Sequence, residues 1–435
     1  MLKRFEKYVS VLLIFLMFTN TTYHVFQVPN YLSNSQNIKF SYNSYPQDSA
    51  TTLLWNYTTG GGINSISISS DGNYLVAGSD DKHTYLFNNS YSPSKKPMWN
   101  YTTGGEIIKV SISSELNYVI SGSNDNKVYL FNTSYSTSKQ PIWSYFMESN
   151  PSTLEISNDG NYIVAGNNEK VSFLKNSSSI PVWNHTTGEP IYSVAISDDG
   201  KYIVAGSGND KVYLFYRTSN DSLWEFQADR AIKTVDISSD GYYIAAGSDN
   251  NELYLFNKFS KTPQLSYETE GNITSIAISS NGKYIVAGST DNKTYVIDII
   301  NENLLWSYEC GDIVSSVGIS SNGRHVLIGS NDNKTYLFDI SNNNPLWSYK
   351  AEDIITDVAI SSSGNYLAVG SEDDQVYLFY WTATIEEEDD DDDDDINFPE
   401  STISLGNYSL IFMIISISLI LILKKRKSFY INKNH

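Results

Sequence analysis

The sequence predicts an all-β chain, an eight-bladed β-propeller of four-stranded antiparallel blades, with one C-terminal transmembrane helix added. Three observations carry the propeller. The stretch SSDGNYLVAGSDDKHTYLF (Ser69 to Phe87) returns with small changes from Ser279, Ser320 and Ser361, with looser copies between. One glycine marks the period, at Gly78, Gly122, Gly166, Gly206, Gly247, Gly288, Gly329 and Gly370, in steps of 44, 44, 40, 41, 41, 41 and 41 residues. No repeat has helical periodicity, and four short strands in about 42 residues describe a propeller blade rather than a helical solenoid.

Each element of a copy has its own signal. Ile63 to Ser69 alternates apolar and small polar residues, as a strand with two unlike faces does. Asp71-Gly72 supplies a tight turn that tolerates positive φ. NYLVAGS is the second strand, Asp80 to Lys82 the second turn, and HTYLF the third strand. A fourth strand carries a tryptophan: Trp55, Trp99, Trp143, Trp183, Trp224, Trp306 and Trp347, with Ser266 read in the tryptophan position of the remaining copy. The chain enters on the Trp55 strand and leaves on the Tyr377–Phe379 strand. The first tryptophan strand is therefore expected to complete the last blade, leaving no sheet edge open between the two ends.

These copies resemble WD40-type repeats, with SSDG, the VAGS strand and the Asp-containing turn before K-x-Y-L-F in matching order. The tryptophan-bearing outer strand is similar to that of quinoprotein-like propellers, which commonly have eight blades. The resemblance spans residues 53–381. It departs from WD40 repeats in lacking their Gly-His and Trp-Asp dipeptides; Phe87, Phe131, Phe215, Phe256, Phe338 and Phe379 stand in the tryptophan position. It implies a fold more than a function, because propellers host many unrelated activities.

Residues 1–20 place Lys3, Arg4 and Lys7 before an apolar run from Val9 to Phe18, a span of about 15 Å as a helix, half a bilayer core. A charged head and short apolar body predict a signal peptide, with an uncleaved signal anchor as the alternative. Residues 21–52 form a polar lead-in and 53–381 the propeller. Residues 382–402 form an acidic stalk, in which ten consecutive acids, Glu386 to Asp395, supply half of the net charge of −20. Residues 403–423 carry no charge and are long enough to span a bilayer, and Lys424, Lys425, Arg426 and Lys427 open the basic tail, 424–435. The positive-inside rule puts that tail in the cytoplasm and the propeller outside, the orientation that the signal peptide also demands. The expected location is a single-pass cell-membrane protein with an extracellular propeller. One cysteine, Cys310, leaves no intramolecular disulfide, which fits a prokaryotic, archaeal surface protein. Twelve Asn-x-Ser/Thr tripeptides occur, barely more than this Asn-rich composition produces by chance.

Reactive constellations are not found. His24, His83, His185, His325 and His435 have no metal-ligand spacing, and no Gly-x-Ser-x-Gly elbow, phosphate-binding glycine loop or zinc pattern appears. The resemblance to quinoproteins would imply a catalytic Asp, calcium ligands and a vicinal disulfide, and a single cysteine rules out the last. A catalytic residue should break the repeat, and the breaks read here (Glu115-Leu116 for Asp-Gly, Ser266 for Trp, and the altered third copy) are scattered. No catalytic, cofactor or metal residue is assigned.

One feature points to binding. Glu106, Glu148, Glu189, Asp229, Glu270, Asp312 and Asp353 lie in the links entering the innermost strands, on the face that also carries turn residues Asp80, Asp81, Asp125, Asp249, Asp291, Asp332, Asp373 and Asp374. This acidic rim is expected to attract cations, calcium among them, or a basic partner. Tyr57, Tyr91, Tyr101 and Tyr135 near the blade edges could contact saccharide or protein. No basic face exists for nucleic acid. The expected function is a non-catalytic extracellular binding module for protein or glycan. The alternatives are a quinoprotein-like or lyase-type enzyme and a structural surface-coat component.

Overall fold

Eight sheets follow directly from the eight repeats, seven of them built entirely from strands adjacent in sequence. A computed structural model describes residues 50–382 apart from 91, 93–94, 115–117 and 137. The expected signal peptide, most of the lead-in, the stalk beyond Thr382, the transmembrane helix and the basic tail lie outside the described residues. So do Tyr91 and Glu115-Leu116. Among the described residues no helix is long and apolar enough to cross a membrane.

Blade 1 runs from an innermost strand, Ile63–Ile68, through Tyr74–Ser79 and His83–Asn88 to an outermost strand, Trp99–Thr102, all antiparallel. Blades 2 to 7 repeat this order from innermost strands beginning at Ile107, Thr153, Ile191, Ile232, Ile273 and Val314. Blade 8 takes its first three strands from Ile355–Ile360, Tyr366–Ser371 and Gln375–Thr382, and its outermost strand from the other end of the chain, Ala50–Thr58. Thr51 pairs with Trp381, Asn56 with Tyr377 and Thr58 with Gln375, so the expected closure forms. The paired strands reach from Ala50 to Thr382, slightly beyond the expected 53–381.

Neighbouring blades pack face to face, and the repeat's fixed residues make that packing. The second-strand glycine lies under the first residue of the next blade's innermost strand: a Cβ on Gly206 would lie 2.5 Å from Ile232 Cγ2. The third strand buries Tyr85, Leu86 and Phe87, and Phe87 receives the preceding blade's Trp55 with ring centroids 5.0 Å apart. Trp99–Phe131, Trp183–Phe215, Trp224–Phe256, Trp306–Phe338 and Trp347–Phe379 repeat this contact around the ring. The indole Nε1 of Trp183, Trp224 and Trp306 also donates to a carbonyl of the following blade, on Arg217, Lys258 and Ile340, at 2.8–3.1 Å. Truncating such a tryptophan costs about 3–5 kcal/mol.

The register corrects one expectation. Leu255 pairs with Leu265, as Leu214 pairs with Trp224, so Leu265 and not Ser266 stands in the tryptophan position of blade 5. Ser266 lies one residue on, opposite Tyr254, with its side chain on the other face.

The Asp-Gly turn joins blades as well. Gly72 has φ 73°, and the Tyr366 ring of blade 8 lies where its Cβ would be. His325 takes the tyrosine's place in blade 7, over Gly364, and stacks edge-on against Trp381 at 4.4 Å.

Candidate functional site

Each innermost strand is the inner edge of its sheet, so the strands together wall a central channel with two mouths. The entry links open onto one mouth, and the Ser-Ser-x-Gly turns surround the other. Contacts such as Asn124 N–H to the Glu106 carbonyl (2.8 Å) and Gly104 N–H to Asp125 Oδ2 (2.9 Å) hold the second turns against the entry links, placing both acidic sets on one face.

The seven rim acids are all exposed, and each belongs to a different blade. Glu148 pairs with Lys170 and Glu270 with Lys293, both at 2.8 Å. Glu106 accepts from the Asn124 side chain, and Asp312 and Asp353 accept from the N–H of the residue that follows each. Among the described residues Glu189 and Asp229 form no ion pair. The ring does not bring the seven together, and among the described residues no three His, Cys, Asp or Glu side chains gather as a metal site.

Five of the turn acids are structural. Asp81 Oδ2 accepts from the Tyr85 hydroxyl (2.5 Å) and the Gly60 N–H (2.8 Å), and its Oδ1 accepts from the His83 N–H (2.9 Å). Burial alone would raise this carboxyl, but those three bonds outweigh it and hold it below the ordinary range. Asp125, Asp291, Asp332 and Asp373 likewise accept from Tyr129, Tyr295, Tyr336 and Tyr377. In blades 4 and 5, Asn209 and Asn250 take over this contact, to Tyr213 and Tyr254. These groups brace the blade and are not free to bind.

The expected edge tyrosines are mostly internal too. Tyr57 and Tyr101 are half-buried between blades, 5.6 Å from Tyr85 and Tyr129, because strand alternation turns them to the same side as Trp55 and Trp99. Tyr135 alone among the described three stands out, 70% exposed.

The channel holds what the repeat reading missed. At the third position of the innermost strands most copies carry Ser or Thr, as in Ser65, Ser193, Ser275 and Ser316, but blades 2 and 8 carry Lys109 and Asp357. At the fifth position, counted by register (Glu155 lies opposite Val164 as Ser67 lies opposite Val76), most carry Ser, Ala or Gly, but blades 3 and 5 carry Glu155 and Asp236. The cause is local: an inner edge strand has unpaired N–H groups, and an acceptor on the preceding blade can satisfy them. Ser193 accepts from Val235 N–H (3.1 Å) and Ser316 from Val358 N–H (3.2 Å); Asp357 does the same for Ile66 (3.0 Å), Glu155 for Ile196 (2.9 Å) and Asp236 for Ile278 (2.6 Å).

Charge separates these four. Asp357 is saturated by Ser65, Ser316 and two N–H groups, and Lys109 Nζ lies 3.4 Å from it. Among the described residues, no cation lies as close to Glu155 or Asp236. Burial pushes Glu155 up to about 8, with the Asp236 charge adding to the rise and the Ile196 N–H and Lys109 opposing it. Burial likewise lifts Asp236 to about 7, against the N–H groups of Ile278 and Ile237. By surface exposure both are only half-buried, because they line an open bore, so solvent softens the penalty. Two adjoining cavities of about 300 and 490 Å³, sharing Ser67, Ser111 and Glu155, make up that bore. Small residues (Ala277, Gly318 and Ala359) hold the fifth position of blades 6 to 8.

Two family models match the chain: Outer membrane protein assembly factor BamB over residues 167–380, and WD domain, G-beta repeat over residues 51–88. The chain is a WD40-like and quinoprotein-like β-propeller repeat protein. A solved structure similar to this propeller protein is the crystal structure of the computationally designed Ika8 protein, at 16% identity and a TM-score of 0.65, covering 74% of this chain and 97% of that one. At that identity the likeness concerns the fold alone. Among curated proteins, none matches the chain.

The quinone cofactor of the quinoprotein side of the resemblance does not suit this propeller protein's channel. A multiply anionic quinone needs cations, and Lys109, already beside Asp357, is the one cation among the described lining residues, facing Glu155 and Asp236. Cys310 is buried with its thiol pushed up to about 12, chiefly by burial.

Proposed function

We propose that this protein is a non-catalytic binding module held at the outer surface of a membrane, recognising a protein or glycan through a propeller face, with the central channel as the recognising surface. The observation that carries the reading is the gathering of Lys109, Glu155, Asp236 and Asp357 in one bore, at two strand positions where the other blades carry Ser, Thr, Ala or Gly. Side chains that break an eightfold pattern at one place mark where the ring must be asymmetric, and binding one ligand requires asymmetry. Hydroxyls of Ser67 and Ser111 beside a carboxyl and an amine suit a hydroxyl-rich or amine-bearing group. The matched model's description names an assembly factor, which accords with an interaction role. The surface location rests on the charged-then-apolar N-terminus, the uncharged segment 403–423 and the lysines and arginine after it.

The test uses residues 31–385, purified without added cofactors. Absorption spectrum and metal content come first: a quinone band or a stoichiometric metal overturns the non-catalytic reading, and a bare protein supports it. Glycan arrays and cell-surface capture then supply a ligand, and K109A, E155Q and D236N each lower its affinity at least tenfold. Unchanged affinity in all three removes the channel from recognition.

A lyase-type enzyme is the second reading, favoured by two carboxyls titrating near neutrality in a cavity. It requires E155Q or D236N to abolish turnover of a bound saccharide while leaving its affinity intact.

A further inference from the structure

We propose that Asn56, Asn100 and Asn184 are N-glycan acceptors, so that oligosaccharide covers the outer rim of blades 8, 1 and 3. The proposal rests on the export reading above and adds a modification to it. Trp-Asn-Tyr-Thr begins at Trp55 and Trp99, and Trp-Asn-His-Thr at Trp183, each inside an outermost strand. Side chains alternate along a strand. Trp55 and Tyr57 therefore turn toward Phe87 and Tyr85 of the next blade, and Asn56 and Thr58 take the opposite side. Radially arranged sheets diverge outward, which leaves that side open at the rim. Asn56, Asn100 and Asn184 and their partners Thr58, Thr102 and Thr186 are all exposed.

The amide nitrogen is the atom that would be modified, and here it is spare. Asn100 and Asn184 make no side-chain hydrogen bond among the described residues, and Asn56 Nδ2 makes one exposed 3.3 Å bond to Gln375. Three other Asn-x-Ser/Thr sites serve the fold. Asn292 and Asn333 hold half-buried turns at φ 70° and 69°, Asn333 Nδ2 donates to the Glu352 carbonyl, and Asn176 Nδ2 donates to the Gly160 carbonyl at 2.9 Å. A sugar on those would break a turn; a sugar on the three rim asparagines displaces at most the exposed Asn56–Gln375 contact. It would also shield the unpaired backbone of outermost strands, which are open to pairing with another chain.

In the transfer, the amide nitrogen attacks the anomeric carbon of a lipid-linked oligosaccharide phosphate. The C–N bond forms, the C–O bond to phosphate breaks, the lipid phosphate leaves with the electron pair, and one amide proton passes to a base of the transferase.

The full chain with its own leader is expressed in cells that glycosylate exported asparagines, and protease accessibility on intact cells scores export separately. Glycopeptide mapping is expected to find sugar on Asn56, Asn100 and Asn184, and T58A, T102A and T186A, which keep each asparagine, are each expected to remove one glycan mass. An exported chain bare at all three, or modified at Asn292 or Asn333 instead, overturns the proposal. A chain retained inside the cell overturns the export reading and this one with it.

Discussion

Replacing Glu155 by Gln should make the propeller more stable at alkaline pH and leave it unchanged in acid. The carboxyl titrates near 8 in the folded ring against an ordinary 4.5, chiefly through burial and then through the Asp236 charge. The folded protein thus keeps a proton that the unfolded chain releases, and linkage makes stability fall as pH rises from about 4.5 to about 8. A shift of that size sets an upper bound of about 5 kcal/mol. The side chain borders an open bore, so solvent screening reduces the expected loss to about 1–2 kcal/mol. Gln removes the charge and keeps an oxygen for the Ile196 N–H. The assay is denaturant unfolding followed by tryptophan fluorescence at pH 4 and pH 8.5, for wild type, E155Q and D236N. E155Q should gain about 1–2 kcal/mol over wild type at pH 8.5 and match it at pH 4. A variant less stable than wild type at pH 8.5, or a gain that does not change with pH, would refute the argument that burial of this charge is unfavourable.

Other sites give sharper structural tests. D332A strands the Tyr336 hydroxyl and the N–H groups of Gly311 and Lys334, and should destabilise by about 2–3 kcal/mol, whereas Y336F should cost about 1 kcal/mol; equal effects in denaturant unfolding would contradict the hub role. G206A forces a methyl against Ile232 and should cost about 1–3 kcal/mol, read as a lowered unfolding midpoint. Burial, then Arg324, depress His325 to about 4, so its contribution is present above pH 6.5 and lost as pH falls from 6.5 toward 4; H325Y, restoring the residue of the other copies, should flatten that acid limb in a thermal scan.

Much of the architecture was legible because the repeat states it eight times. The glycine period, the Asp-Gly turn and the buried phenylalanine each recur where packing needs them, and the strand count left an unpaired outer strand at the start and a blade lacking its outer strand at the end. The site was hidden for the opposite reason. Lys109 and Asp357 lie 248 residues apart, and each looks ordinary in its own strand. Only aligning the innermost strands column by column shows that they and Glu155 and Asp236 replace small residues. Blade 5 was misread for want of a similar alignment: Pro263 precedes Leu265 by two residues, as Pro181 precedes Trp183, and that spacing identifies the position. The rim acids share a face with the turn acids, but five of those turn acids are consumed by tyrosine hydroxyls, a contact between side chains that no linear pattern shows.

The strand that closes the ring has a consequence for how the protein comes into being. Asn56 meets Gln375 across 319 residues of chain, so the earliest propeller segment synthesised must wait for the latest before it has a partner. Until then Trp55 has no sheet to join and blade 8 ends in a bare third strand, a sticky edge in an otherwise finished object. Such distant pairing makes the final step slow. The same linkage makes the finished ring hard to open, since no blade can peel away from a free end. Under the proposed export, that order of events keeps the chain from locking its shape until its last blade has emerged.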